Sequence, residues 1–119
     1  RPGRGVRMVT IAPETAPPGS IAALKRRGVV IAAGHSMADY DQTRAALDEG
    51  LDGFTHLFNA MTQFEARAPG MVGAALENRQ SLFGLIVDGH HVHPAALRAV
   101  FEAEGERIAA PGVERLAEV

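Results

Sequence analysis

Val29-Val30-Ile31-Ala32-Ala33-Gly34-His35-Ser36 decides how this chain is read. Five consecutive apolar residues leave no polar face, so the segment suits a strand covered on both sides. That is the condition of a parallel sheet packed by helices rather than of a half-solvated antiparallel one. A glycine, a histidine and a serine follow where the strand must give way to a loop. In α/β barrels this carboxyl edge collects ligands and catalytic groups, whereas the opposite edge serves stability.

Working outward, further apolar runs stand at residues 6–12, 53–56 and 82–87, the third of the four being short and assigned mainly from its position. Helix-like stretches separate them. Pro17-Pro18 suit a first turn, where a missing N–H costs nothing, and Ile21, Ala22 and Leu24 follow until Gly28. Asp39 is placed to cap a second helix with Gln42 at the reciprocal position, and Gly50 closes it. A third helix is predicted from about Met71 to Asn78, after the Ala68-Pro69-Gly70 turn, and a fourth from near Pro94 to Gly105. Strand and helix alternate about every 20 to 30 residues, which predicts about four βα units with right-handed crossovers, a partial (β/α)8 TIM-type barrel. Residues 106–119 are polar, small and interrupted, and are expected to form a poorly patterned tail.

Composition limits the partners. The 119 residues are 46% apolar and carry 12 basic against 14 acidic side chains, a formal net charge of -2, so neither nucleic acid nor an acidic membrane surface is implied. No apolar run approaches the roughly 18 residues of a membrane span, and no signal peptide is readable. The opening Arg1-Pro2-Gly3-Arg4-Gly5 lacks an initiator methionine and suggests a piece of a longer chain. With no cysteine, a bound metal must be held by imidazole and carboxylate; a reducing compartment is suited, and the cytoplasm is the default expectation. Phosphate-loop, nucleophile-elbow and dinucleotide glycine motifs are absent.

His35 and His56 each end an apolar run, one βα unit apart. Two imidazoles at the ends of neighbouring parallel strands can share one divalent ion; equally, each can be an ordinary strand-end histidine bonded to a loop carbonyl. Asp88-Gly89-His90-His91-Val92-His93 lies at the same predicted edge and reads either as a solvated loop or as a substrate contact. Arg67, ahead of a turn and a helix start, suits an anion or simply solvent. Asn59 offers a donor and an acceptor to a sugar or phosphate, or to its own loop. Ser36 is expected to bond its own loop rather than act as a nucleophile.

Together, Val9-Thr10-Ile11-Ala12-Pro13-Glu14, Gly34-His35-Ser36, Thr55-His56-Leu57-Phe58-Asn59-Ala60-Met61 and Asp88-Gly89-His90-His91-Val92 resemble the N-acetylglucosamine-6-phosphate deacetylases of the amidohydrolase superfamily, from about Val6 to Glu104. The resemblance implies that residues 1–119 are a central piece of a metal-dependent hydrolase barrel. It implies that His35 and His56 bind one divalent metal, zinc or similar, that Asn59 and Ala60 line the sugar-phosphate site, and that His91 contacts substrate. Arg67 would contact the phosphate, reaching into a neighbouring subunit's site of a homodimer. The family's glutamate ligand falls upstream of Arg1 and its general base, in a Thr-Asp-Ala motif, beyond Val119, so the resemblance leaves no catalytic base within the chain.

The expected reaction of the whole enzyme is hydrolysis of N-acetylglucosamine 6-phosphate to glucosamine 6-phosphate and acetate, with the isolated piece inactive. Two other readings stand beside it. One is an amidohydrolase acting on another amide or cyclic amide; the other is a noncatalytic sugar-phosphate-binding or oligomer-forming remnant. Half a barrel is also expected to leave two sheet edges and a strand face open.

Overall fold

The computed structural model describes residues 8–85 and 90–108. Strands and helices alternate as β1 (Met8–Ile11), α1 (Ser20–Arg26), β2 (Val30–Ala33), α2 (Tyr40–Glu49), β3 (Gly53–Phe54), α3 (Gly70–Glu77), β4 (Leu82–Phe83) and α4 (Pro94–Ile108). Every strand pair is parallel, and the sheet order is β1-β2-β3-β4. Crossovers of one hand between strands in sequential order put all helices on one side of the sheet. Consecutive helices accordingly touch: α1 meets α2, α2 meets α3, and α3 meets α4. This is an arc of a βα barrel rather than a doubly wound sheet, as predicted.

Register separates the two faces. Ile11, Ala33, Phe54 and Phe83 are successive partners across the four strands. They face the helices, where Ala33, Phe54 and Phe83 are buried together with Ile21, Leu51, Leu57, Met71, Val72 and Val100. Thr10, Ala32, Gly53 and Leu82 form the row on the other face. There Leu82 is 39% exposed, and the neighbouring pair Met8 and Val30 is 39% and 45% exposed. The helices lie over one face, and these exposed residues are on the opposite strand face, the one expected to be open in half a barrel. Gly53 is small for a reason: a Cβ there would lie 2.4 Å from the Leu82 carbonyl oxygen.

Other boundaries differ from the sequence reading. The Pro17-Pro18 pair precedes α1 instead of opening it; Ser20 N–H bonds the Pro17 carbonyl in a turn, and Gly19, at φ 83, is the N-cap. β3 stops at Phe54 because the backbone turns into a positive φ at His56. β4 stops at Phe83; residues 86 and 87 of that predicted run lie outside the described residues. α4 passes Gly105 and continues to Ile108. One interior glycine costs a helix only about 1 kcal/mol, too little to end it by itself. The remainder of the predicted tail, 109–119, lies outside the described residues. Among the described residues no helix is long and apolar enough to cross a membrane.

Candidate metal and substrate site

Two loops at the carboxyl ends of β2 and β3 build the site. They approach closely because residue 34 has no side chain: a Cβ on Gly34 would lie 2.0 Å from Thr55 Oγ1. Ser36 N–H donates to the Ala60 carbonyl at 2.9 Å, and Ser36 forms an isolated parallel bridge with Met61. Thr62 Oγ1 donates to the Ala38 carbonyl at 2.6 Å and accepts the Met71 N–H at 2.6 Å, tying the second loop to α3. Gln63 Nε2 closes that loop on itself, donating to the carbonyls of Phe58 and Met61.

Within this frame four non-glycine residues hold positive φ: His35 at 48°, His56 at 25°, Phe58 at 80° and Ala60 at 54°. Such conformations cost of order 1–3 kcal/mol each and persist where the surroundings over-determine them. Their effect is to turn both histidines inward. His35 Nε2 and His56 Nε2 stand 3.1 Å apart, with ring centroids 4.8 Å apart and planes at 87°. Two nitrogens bound to one tetrahedral ion at about 2.0–2.1 Å would be roughly 3.3 Å apart, so the pair needs to open by only a few tenths of an ångström to hold one. Without a metal, one Nε2–H of the pair donates to the other nitrogen; a metal bound by both Nε2 atoms would leave the His56 ring proton on Nδ1, which is buried and has no hydrogen-bond partner among the described residues.

The sequence reading missed Glu14, although an acid following Ala12-Pro13 at the end of β1 lies at the same sheet edge. Its carboxylate accepts the Ser36 hydroxyl at 2.5 Å and the Met37 N–H at 2.8 Å. Burial pushes this carboxyl upward, but the Ser36 and Met37 hydrogen bonds outweigh it and hold Glu14 below the usual glutamate range. Ser36 does bond its own loop, accepting the Ala38 N–H at 3.0 Å, and in addition reaches Glu14.

Asn59 donates from Nδ2 to the Leu57 carbonyl at 3.3 Å, and its N–H bonds the His56 carbonyl, so it shapes the loop that carries His56. Ala60 is exposed beside it. Arg67 is not brought to the histidine pair. It lines a cleft of about 740 Å³ between the start of α2 (Asp39, Tyr40, Asp41) and residues 61–70, a cleft that neither His35 nor His56 lines. His91 is exposed ahead of α4, and the Asp88-Gly89 pair joined to it in the motif lies outside the described residues. His93 serves the helix: its Nδ1 accepts the Ala95 N–H at 2.9 Å.

No family profile matches the chain. Individual proteins do. It is 45% identical over 101 residues to an N-acetylgalactosamine-6-phosphate deacetylase of Shewanella sp. (strain ANA-3), covering 85% of this chain and 26% of that protein. It is 45% identical over 104 residues to the N-acetylglucosamine-6-phosphate deacetylase of Danio rerio, covering 82% and 26%. Among solved structures, a mutant N-acetyl-D-glucosamine-6-phosphate deacetylase from Mycobacterium smegmatis, in complex with N-acetyl-D-glucosamine-6-phosphate, superposes with a TM-score of 0.79 at 50% identity over 86% of this chain and 27% of that one. Over the matched span the chain is similar in sequence and in structure to amino-sugar-phosphate deacetylases. It spans about a quarter of the length of the curated relatives it matches.

The donor chemistry of the two loops suits the divalent metal that the family resemblance implies. Neutral imidazole is a ligand for zinc-like ions, and two of them converge here without a thiol. Among the described residues no third histidine, aspartate or glutamate joins them. Within the described span, the candidate site is a pair of imidazoles on a strained double loop.

Proposed function

We propose that this chain carries the two-histidine half of a metal site in an enzyme that removes the acetyl group from N-acetylglucosamine 6-phosphate. The observation that carries the reading is the meeting of His35 Nε2 and His56 Nε2 at 3.1 Å on adjacent loops at the carboxyl edge of the sheet. A divalent ion of the zinc type, bound there, supplies a water that ionises near neutral pH and a Lewis acid for the acetamido carbonyl. The chain's own residues hold and aim. His35 and His56 present Nε2 lone pairs, and Gly34 and Thr55 set the distance between the loops. Asn59 and Ala60, immediately after His56, line the sugar.

Arg67 takes the phosphate through its guanidinium fork. The histidine pair does not line its cleft, and the family resemblance gives Arg67 to the site of a second subunit in a homodimer. His91 contacts substrate on the same edge. Curated relatives acting on the galacto epimer and on the gluco epimer match at equal identity, whereas the sugar in the solved complex is the gluco form.

Amine release from both epimers of the 6-phosphate, and from unphosphorylated N-acetylglucosamine, tests the proposal with the chain in its full coding context. His35→Ala and His56→Ala are each expected to lower kcat/KM by at least about a hundredfold. Arg67→Ala is expected to raise KM for the phosphorylated sugar and leave the unphosphorylated one unaffected. Undiminished turnover in either histidine variant would overturn the reading; preference for the galacto epimer would correct its substrate.

A further inference from the structure

Glu14 lies early in the loop after β1 and has no part in the chemistry above, yet both carboxylate oxygens are engaged, one by the Ser36 hydroxyl and the other by the Met37 N–H. Ser36 is only 2% exposed. Its hydroxyl oxygen accepts the Ala38 N–H, its own N–H donates to the Ala60 carbonyl, and its backbone is bridged to Met61. Three consecutive βα loops therefore meet at one serine, and His35 is its immediate neighbour. His35 sits at φ 48, a conformation that an L-residue keeps only while its flanks are held. On the Gly34 side the flank is β2, whose end is bonded to β1 through Gly34 N–H and the Ile11 carbonyl at 3.1 Å. On the Ser36 side it is the loop that Glu14 grips at two successive residues.

We propose that Glu14 is the positioning residue for His35, its carboxylate fixing Ser36 and Met37 so that the left-handed turn at His35 aims Nε2 at His56. The consequence for metal binding rests on the reading of the histidine pair given above; the hold on the His35 conformation does not. An amide in place of the carboxylate keeps one acceptor and turns an NH2 group toward the other donor, so Glu14→Gln retains half of the grip and Glu14→Ala none.

Zinc affinity by chelator competition, with the His35–His56 ring contact in metal-free protein followed by NMR, tests this in the full coding context. Glu14→Ala is expected to weaken zinc about tenfold or more, within the range for groups that orient a ligand, with Glu14→Gln intermediate and the ring contact weakened in the same order. Asp52→Asn, remote from the loops, serves as a control that perturbs packing without touching Ser36. Unchanged zinc affinity and an unchanged ring contact in both Glu14 variants would overturn the proposal, as would an equal loss of affinity in Asp52→Asn. Should His35→Ala bind zinc as tightly as the parent, the metal reading fails; the ring contact in the metal-free Glu14 variants then decides whether the hold on His35 stands.

Discussion

At Gly34 the packing leaves no room for one methyl group. A Cβ would fall 2.0 Å from Thr55 Oγ1 but 3.4 Å from Thr55 Cβ, so the obstacle is a single hydroxyl. Gly34→Ala is expected to cost about 1–3 kcal/mol in denaturant unfolding, and Thr55→Ala in the same chain to restore most of it; a loss that Thr55→Ala does not relieve would locate the strain elsewhere. Glu14 adds a pH dependence. Its carboxyl is held below its ordinary value, so the folded state favours the charged form. That contribution is fully present above the unfolded value of about 4.3 and is lost as pH falls through the depressed folded value. The Met37 amide shift should therefore titrate with a midpoint below about 4.3, and a midpoint at or above it would contradict the assignment. His35 and His56 were readable as candidates because each follows an apolar run. Glu14 and the positive φ values were not, since both depend on which loops meet in space.

Elements are joined by a few side chains with several partners. Asp39 caps α2 in a reciprocal box, its carboxylate accepting Gln42 N–H at 2.8 Å while Gln42 Oε1 accepts Asp39 N–H at 2.9 Å. Asp39→Ala is expected to cost about 1 kcal/mol in thermal or denaturant unfolding. Asp52, at the entry to β3, accepts both from Lys25 Nζ and from Ile31 N–H at 2.8 Å, locking the end of α1 to β2. Asp52→Ala leaves the Ile31 amide without its acceptor and should cost about 1–3 kcal/mol; a change under about 0.5 kcal/mol would show that solvent replaces it. The capping box was legible from the Asp39-to-Gln42 spacing alone, because its chemistry is local. The start of α1 was misread because Pro17 takes part in the turn before the helix, and the end of α4 was misread at Gly105 because one interior glycine is too small a cost to stop a helix. Ile31 bonding to Asp52 could not be read at all, being a contact between separate βα units.

On the scale of the molecule, the parallel arc follows from apolar runs too continuous for an antiparallel sheet, and the strand order from short sequential crossovers. The open strand face was legible from the count of βα units rather than from the runs, and Met8, Val30 and Leu82 on it are each more than a third exposed. Apolarity on both faces of a strand states a requirement for cover without saying what supplies it. The helix-covered face places the two loops side by side, and the paired imidazoles are the outcome of that architecture. X-ray absorption at the zinc edge, on protein carrying this chain in its full coding context, measures the pairing directly. Two imidazole nitrogens at about 2.0–2.1 Å are predicted, falling to one in His35→Ala and in His56→Ala. A spectrum with no imidazole scattering, or one that neither substitution alters, would contradict a metal shared by these two histidines.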